Sequence, residues 1–203
     1  IWIPAIEKMV KELIATPLGQ QGTAEFSLNR IPAQSCRKEV EFYFPLQEIT
    51  AGKIINVLER SGLYKNNASS IDDLYREISF PLTKGYLRGF IDLVFEHEGR
   101  FYLVDWKSNY LGESYAQYAP DFLKKAMSQS SYVLQYLIYT VALHKYLQNR
   151  IKDYTYEKHF GGVYYIFLRG LNTQTGKENG IYYDLPEYTL IRQLDRLMLP
   201  PEE

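Results

Sequence analysis

The stretch from Gly89 to Lys107 constrains this chain more than any other. Two β-rich runs, 87–96 and 100–107, flank a short polar link that contains Gly99. Short Gly-containing links between such runs read as hairpins. With Glu98 and Gly99 as a two-residue loop, His97 faces Arg100 and, counting back along both strands, Asp92 faces Asp105. Directly opposed residues hold their Cβ atoms about 4.5–5.5 Å apart on one face of a sheet. Lys107 lies two residues beyond Asp105 and projects from that same face. A loop one residue longer or shorter sends the two aspartates to opposite faces, so the register decides whether the three charges meet.

Two carboxylates held that close repel each other, so one takes a proton or a cation lies between them. A hard divalent cation suits oxygen ligands, and magnesium often uses only one or two carboxylates, completed by water and substrate phosphate. A lysine ammonium alongside can orient water or stabilise charge developing on a phosphate. The set Asp92, Asp105 and Lys107 is therefore suited to phosphodiester hydrolysis. The competing reading is an ion pair on the solvated face of a hairpin. The apolar residues around all three charges favour burial and a metal site.

Length and composition narrow the field. A chain of 203 residues with 46% hydrophobic residues forms one domain with a sizeable core. Its net charge of −1 provides no global basic field, so a nucleic-acid surface would have to be local. Lys124, Lys125, Lys145, Arg150, Lys152 and Arg169 are the candidates. Cys36 is the only cysteine, which excludes an internal disulfide and a cysteine-rich zinc site and fits a cytoplasmic location. No apolar run is long enough to span a membrane, and no signal peptide is visible. Nineteen tyrosines are many, and some are expected on surfaces or along a groove. The chain begins at Ile1 within a helical pattern, which reads as a fragment of a longer protein.

Periodicity predicts a helix over 4–16, with Ile6, Met9, Val10 and Ile14 on one face. Strands are expected at 26–31 and 37–46, the second ended by Pro45. Short helices follow at 51–61 and 70–76, with a polar loop over 63–70 between them. After the hairpin come helices over 119–127 and 131–148, a β-rich run over 159–168, a polar loop over 173–180 and a strand over 181–184. A last helix over 186–197 opens on Pro186. This order gives a mixed α/β domain around one central sheet. In the long helix Leu134, Leu137, Ile138, Val141 and Leu147 form the buried stripe. Gln135 and Tyr139, four apart, stack beside it. Placed over the carboxylates they could bind phosphate; elsewhere they are the polar border of an amphipathic helix.

Three ordered motifs can now be set side by side: Gly89 with Asp92, then Asp105-Trp106-Lys107-Ser108, then Gln135 with Tyr139. In this order they resemble the PD-(D/E)XK nuclease superfamily, in its RecB-like branch. The stretches 87–95, 107–112 and 159–170 are similar to RecB-like nuclease domains as well, and the likeness runs from about Leu18 to the end of the chain. The resemblance implies a restriction-endonuclease-like α/β fold, a central mixed sheet flanked by helices. It implies one nuclease domain over 1–203, with an N-terminal helix over 1–17 and a core over 18–203. Asp92, Asp105 and the main-chain carbonyl of Trp106 would hold Mg²⁺, Lys107 would be the catalytic lysine, and Gln135 and Tyr139 would touch substrate. The implied reaction is hydrolysis of DNA strands unwound by a helicase, in double-strand break repair and recombination. The implied partners are DNA, single strands in particular, and RecC and RecD subunits; ATP would serve only an upstream helicase domain.

One departure stands out. RecB-like nucleases usually add a His ligand from a helix that precedes the strands. Here the histidines are His97, His144 and His159, none of them on the first helix. The expectation is that the ligand lies upstream of Ile1. The alternative is a nuclease-like scaffold or docking module, inactive as this fragment for want of that ligand.

Overall fold

The computed structural model describes residues 2–18, 25–62, 83–171 and 178–200. Its organising element is the expected hairpin. Glu98 and Gly99 adopt φ of 51° and 75°. Positive φ at both central residues gives a turn whose twist matches that of the flanking strands. β2 (Thr83–His97) and β3 (Arg100–Lys107) pair antiparallel from His97↔Arg100 to Leu93↔Val104. On the far side of β2 lies β1 (Cys36–Ile49), antiparallel. β4 (Phe160–Phe167) runs parallel to β3, and β5 (Ile181–Asp184) antiparallel to β4. The five-stranded order is β1-β2-β3-β4-β5, a mixed sheet. β4 is buried along its whole length, as befits a strand with a parallel neighbour and both faces covered.

The described helices are α1 (Trp2–Ala15), α2 (Ala51–Ser61), α3 (Pro120–Gln129), α4 (Tyr132–Gln148) and α5 (Tyr188–Met198), besides short turns. α2 to α5 cover one face of the sheet. There Ile55 and Leu58, Leu123 and Met127, Leu137 and Val141, and Ile191 and Leu194 meet Val94, Leu103, Val163 and Tyr165. Leu18, Phe26 and Ile31 pack on the other face, against Leu93, Phe95, Val104, Tyr164 and Ile166. Among the described residues no helix is long and apolar enough to cross a membrane.

Most expected elements are present, and two differ. The run at 26–31 is no strand: Leu28–Arg30 forms a 3-10 turn. Phe26 and Ile31 instead plug the second cluster, where the Phe26 ring meets those of Phe95 and Tyr102 at 5.7 and 5.5 Å. Pro45 does not end β1, which continues to Ile49. β1 is an edge strand, and an edge tolerates the missing N–H of a proline. Ile6, Met9 and Val10, on the apolar face of α1, remain largely exposed. The expected helix at 70–76 and loop at 63–70 lie outside the described residues, as does most of the loop at 173–180.

The strands change phase at Asp92. Ile91 and Val94 both join the helix-covered core, whereas Leu93 and Phe95 join the other. A regular pleat would put 91 and 94 on opposite faces. β1 shifts at the same level: Cys36 packs with one cluster, Val40 and Phe42 with the other, and Glu39 between them has φ of 50°. The β1–β2 ladder pairs Lys38↔Leu93 and Val40↔Ile91 but not Glu39 with Asp92. The irregularity thus falls on the residue that carries the first carboxylate.

Gly89 leaves room for this region to close. A Cβ there would sit 2.4 Å from the Phe42 ring, and that ring packs edge-on to Tyr139 of α4 at 5.6 Å. Gly89→Ala is expected to cost about 1–3 kcal/mol through overpacking, read as a lower urea midpoint, with Phe42→Leu restoring much of the loss. An unchanged midpoint in the single variant would contradict this packing.

Candidate active site

The carboxyl end of β3 brings the charges together. Asp105 and Lys107 are 6% and 9% exposed, and Lys107 Nζ lies 2.6 Å from Asp105 Oδ1. The same ammonium donates to Gln135 Oε1 at 3.0 Å. The rings of Tyr132 and Tyr165 face it, with centroids at 3.8 and 4.8 Å. Three side-chain hydrogen bonds hold Gln135. Its amide oxygen also accepts from Tyr165 Oη at 2.9 Å, and its amide nitrogen donates to Tyr139 Oη at 3.0 Å. The pair four residues apart on α4 therefore faces the lysine and is more than a helix border.

Asp92 reaches this group from β2. The β2–β3 ladder stops at Leu93↔Val104, one residue short of Asp92 and Asp105. Asp92 Oδ2 accepts the main-chain N–H of Trp106 at 2.9 Å, so the side chain stands in for a backbone acceptor where the ladder ends. Its charge acts on Asp105, Tyr139 and Tyr165.

Electrostatics follow from burial. The Asp105 carboxyl is raised above its ordinary value, first by desolvation and secondarily by the Asp92 charge, while Lys107 opposes the rise. Tyr139 and Tyr165 hydroxyls are pushed up, again chiefly by burial and then by the nearby Asp105 carboxylate. Both hydroxyls remain neutral beside an acidic centre.

Glu41 pairs with Arg88 on the exposed surface, and Glu39 is exposed in the gap opposite Asp92. The His97 ring lies tilted against Phe26, His144 meets Tyr154 Oη at 3.0 Å, and the His159 ring contacts main-chain Thr155. Lys145 pairs with Asp195. Of the basic candidates, Arg169 bonds to the segment that follows Lys107, donating from Nε to Ser108 O at 3.0 Å. Tyr132 and Tyr165 were not singled out in the sequence. The available signal was pairing: Tyr165 sits directly beside Asp105 in the parallel β3–β4 register.

A sequence model of the PD-(D/E)XK nucleases matches residues 14–197 of this chain. The chain belongs to the PD-(D/E)XK nuclease superfamily. It is also 38% identical to the RecBCD enzyme subunit RecB of Escherichia coli (strain K12), over 97% of this chain and 16% of that protein. Against the RecB subunit of Haemophilus influenzae the identity is 38%, over 94% of this chain and 15% of that protein. Against that of Mycobacterium tuberculosis (strain ATCC 25618 / H37Rv) it is 30%, over 96% and 19%. The chain thus spans less than a fifth of the length of these curated relatives.

PD-(D/E)XK nucleases generally use divalent metal ions, and the donor set of this one fits such an ion. Asp92 and Asp105 each spend one carboxylate oxygen on an internal partner, Oδ2 and Oδ1 respectively. Asp92 Oδ1 and Asp105 Oδ2 remain as hard donors. Among the described residues no three His, Cys, Asp or Glu side chains form a complete metal cage, so water and phosphate would fill the other positions. In metal-free protein Asp105 should titrate above 3.8. A bound cation favours the ionised form, so binding should release a proton and weaken as the pH falls toward the raised pKa. Calorimetry in buffers of different ionisation enthalpy reads that proton. Binding with no proton release near this pKa would contradict the site.

Proposed function

We propose that this chain is the DNA-cutting domain of a RecB-type subunit, hydrolysing phosphodiester bonds with Mg²⁺ as its divalent ion. The observation that carries the reading is the convergence of Asp92, Asp105 and Lys107 with Gln135 at the buried end of β3. Asp92, Asp105 and the Trp106 carbonyl would hold the ion. When bound, it acidifies water and offsets phosphate charge. Lys107 presents a fixed ammonium to the phosphate oxygens, where charge grows as the bond to the leaving 3′ oxygen breaks. Asp105 and Gln135 hold that ammonium in place, so little reorganisation is needed. Gln135 and Tyr139 offer polar groups to the substrate backbone. The displaced 3′ oxygen takes its proton from water.

The relatives' shared name, RecBCD enzyme subunit RecB, supports a place in a helicase–nuclease assembly with RecC and RecD subunits. There the domain would cut unwound single strands during double-strand break repair and recombination. The core would run over 18–203, with α1 as an N-terminal appendage. The intact pair of acids and the lysine argue against a decayed scaffold.

Asp105→Asn keeps the shape of the side chain and an acceptor for Lys107 but removes the charge. It should lower cutting of single-stranded DNA by roughly 100-fold or more, and Lys107→Ala should do likewise. Circular dichroism and a thermal midpoint check that each variant is folded. A folded Asp105→Asn protein that cuts at the parental rate would rule out the assignment.

A further inference from the structure

We propose that Tyr110 and Arg169 form a nucleotide subsite next to the scissile phosphate, Arg169 gripping a neighbouring phosphate and Tyr110 stacking on a base. This rests on the reading of the chain as a DNA nuclease and adds how the strand is held.

Both residues sit on short segments that leave the sheet at the active-site end. Tyr110 is three residues beyond Lys107, so its Cα lies no more than about 11 Å away along the chain. Arg169 follows the end of β4, whose Phe167 pairs with Lys107. Tyr110 is 62% exposed, and Arg169 is exposed too. Their backbones are nevertheless fixed, both by Tyr118, which is 2% exposed. Tyr118 Oη donates to Asn109 O at 3.4 Å and accepts from Leu111 N at 3.1 Å, clamping the chain on either side of Tyr110. The body of Tyr118 lies against Gly170, where an added Cβ would come within 2.4 Å of Tyr118 Cβ.

The side chains are oriented as well. Arg169 Nε donates to Ser108 O at 3.0 Å, and its guanidinium carbon lies 6.0 Å from the centre of the Tyr110 ring. One donor is spent on the backbone, and among the described residues the four N–H bonds of the two terminal nitrogens have no hydrogen-bond partner. Among the described residues no carboxylate pairs with Arg169, in contrast to Arg88, Lys107 and Lys145. An arginine that is held still, laid beside an aromatic ring and left without an acid is prepared for phosphate. An exposed tyrosine on a fixed loop offers a stacking face that accepts any base. On the inner side, Asn109 Oδ1 accepts from Tyr132 Oη at 3.2 Å, and the Tyr132 ring covers the Lys107 ammonium. The subsite is therefore continuous with the lysine.

The test uses the full chain, Mg²⁺ and single-stranded oligodeoxynucleotides carrying one uncharged methylphosphonate at each linkage in turn. With the parent, one linkage next to the cut should raise KM by roughly 10- to 100-fold, the range for a charge-assisted hydrogen bond. Arg169→Ala should raise KM on unmodified DNA by a similar factor and lose its sensitivity at that linkage. Arg169→Lys should restore only part of the binding. Tyr110→Ala should weaken binding about fivefold or more, and Tyr110→Phe should stay near the parent. A purely structural role for Arg169 would leave the sensitivity at that linkage intact, and that result would overturn the subsite. A parent chain that cuts no DNA would overturn the underlying nuclease reading, and the subsite with it; a parent that cuts while Arg169→Ala keeps its full linkage profile overturns the subsite alone.

Discussion

The buried contact between Asp105 and Lys107 is the interaction on which the site depends. Removing two charges from water costs several kcal/mol per ion, and their attraction offsets this only when geometry is good and the remaining polar groups find partners. Here Gln135 takes a second ammonium donor, and the faces of Tyr132 and Tyr165 lie beside the ammonium at 3.8 and 4.8 Å. The carboxylate is less well served. Desolvation outweighs the lysine, and the Asp92 charge adds to the strain, so Asp105 is held above its usual value. A second positive charge is what this arrangement lacks, and one free oxygen on each acid is where it would bind.

The fold supports that contact from several directions. β3 lies in the middle of the sheet, where β2 brings Asp92 and β4 brings Tyr165. Asp92 falls where the β2–β3 ladder ends, and its carboxylate caps the N–H of Trp106. α4 lays Gln135 and Tyr139 across the charges, and Phe42, seated over Gly89, presses on Tyr139 from the edge of the sheet. The abundant tyrosines serve partly as core residues with a polar end. Tyr136 donates to Asp184 at 2.7 Å, Tyr156 to Pro186 O at 2.8 Å and Tyr165 to Gln135 at 2.9 Å.

How much of this was legible in the sequence depended on how local the cause was. The β2–β3 register follows from two residues, Glu98 and Gly99, because a tight turn fixes the pairing of both strands. The helices at 51–61 and 131–148 follow from periodicity. Phe26 and Ile31 mislead because burial under the sheet and membership of the sheet call for the same residue types. Pro45 misleads because only topology reveals that β1 is an edge. The partners of Lys107 were half visible: Gln135 and Tyr139 from spacing along one helix, whereas Tyr132 and Tyr165 needed the parallel pairing of β3 with β4, which no local pattern specifies. The phase change at Asp92 left no sequence mark beyond an acid inside an apolar strand.

The most direct measurement is the anomalous scattering of Mn²⁺ in crystals of the protein. The account predicts one strong peak bonded to a carboxylate oxygen from each of Asp92 and Asp105, with the Lys107 ammonium alongside. A cation that bound elsewhere, or that left either acid uncoordinated at saturating Mn²⁺, would contradict it.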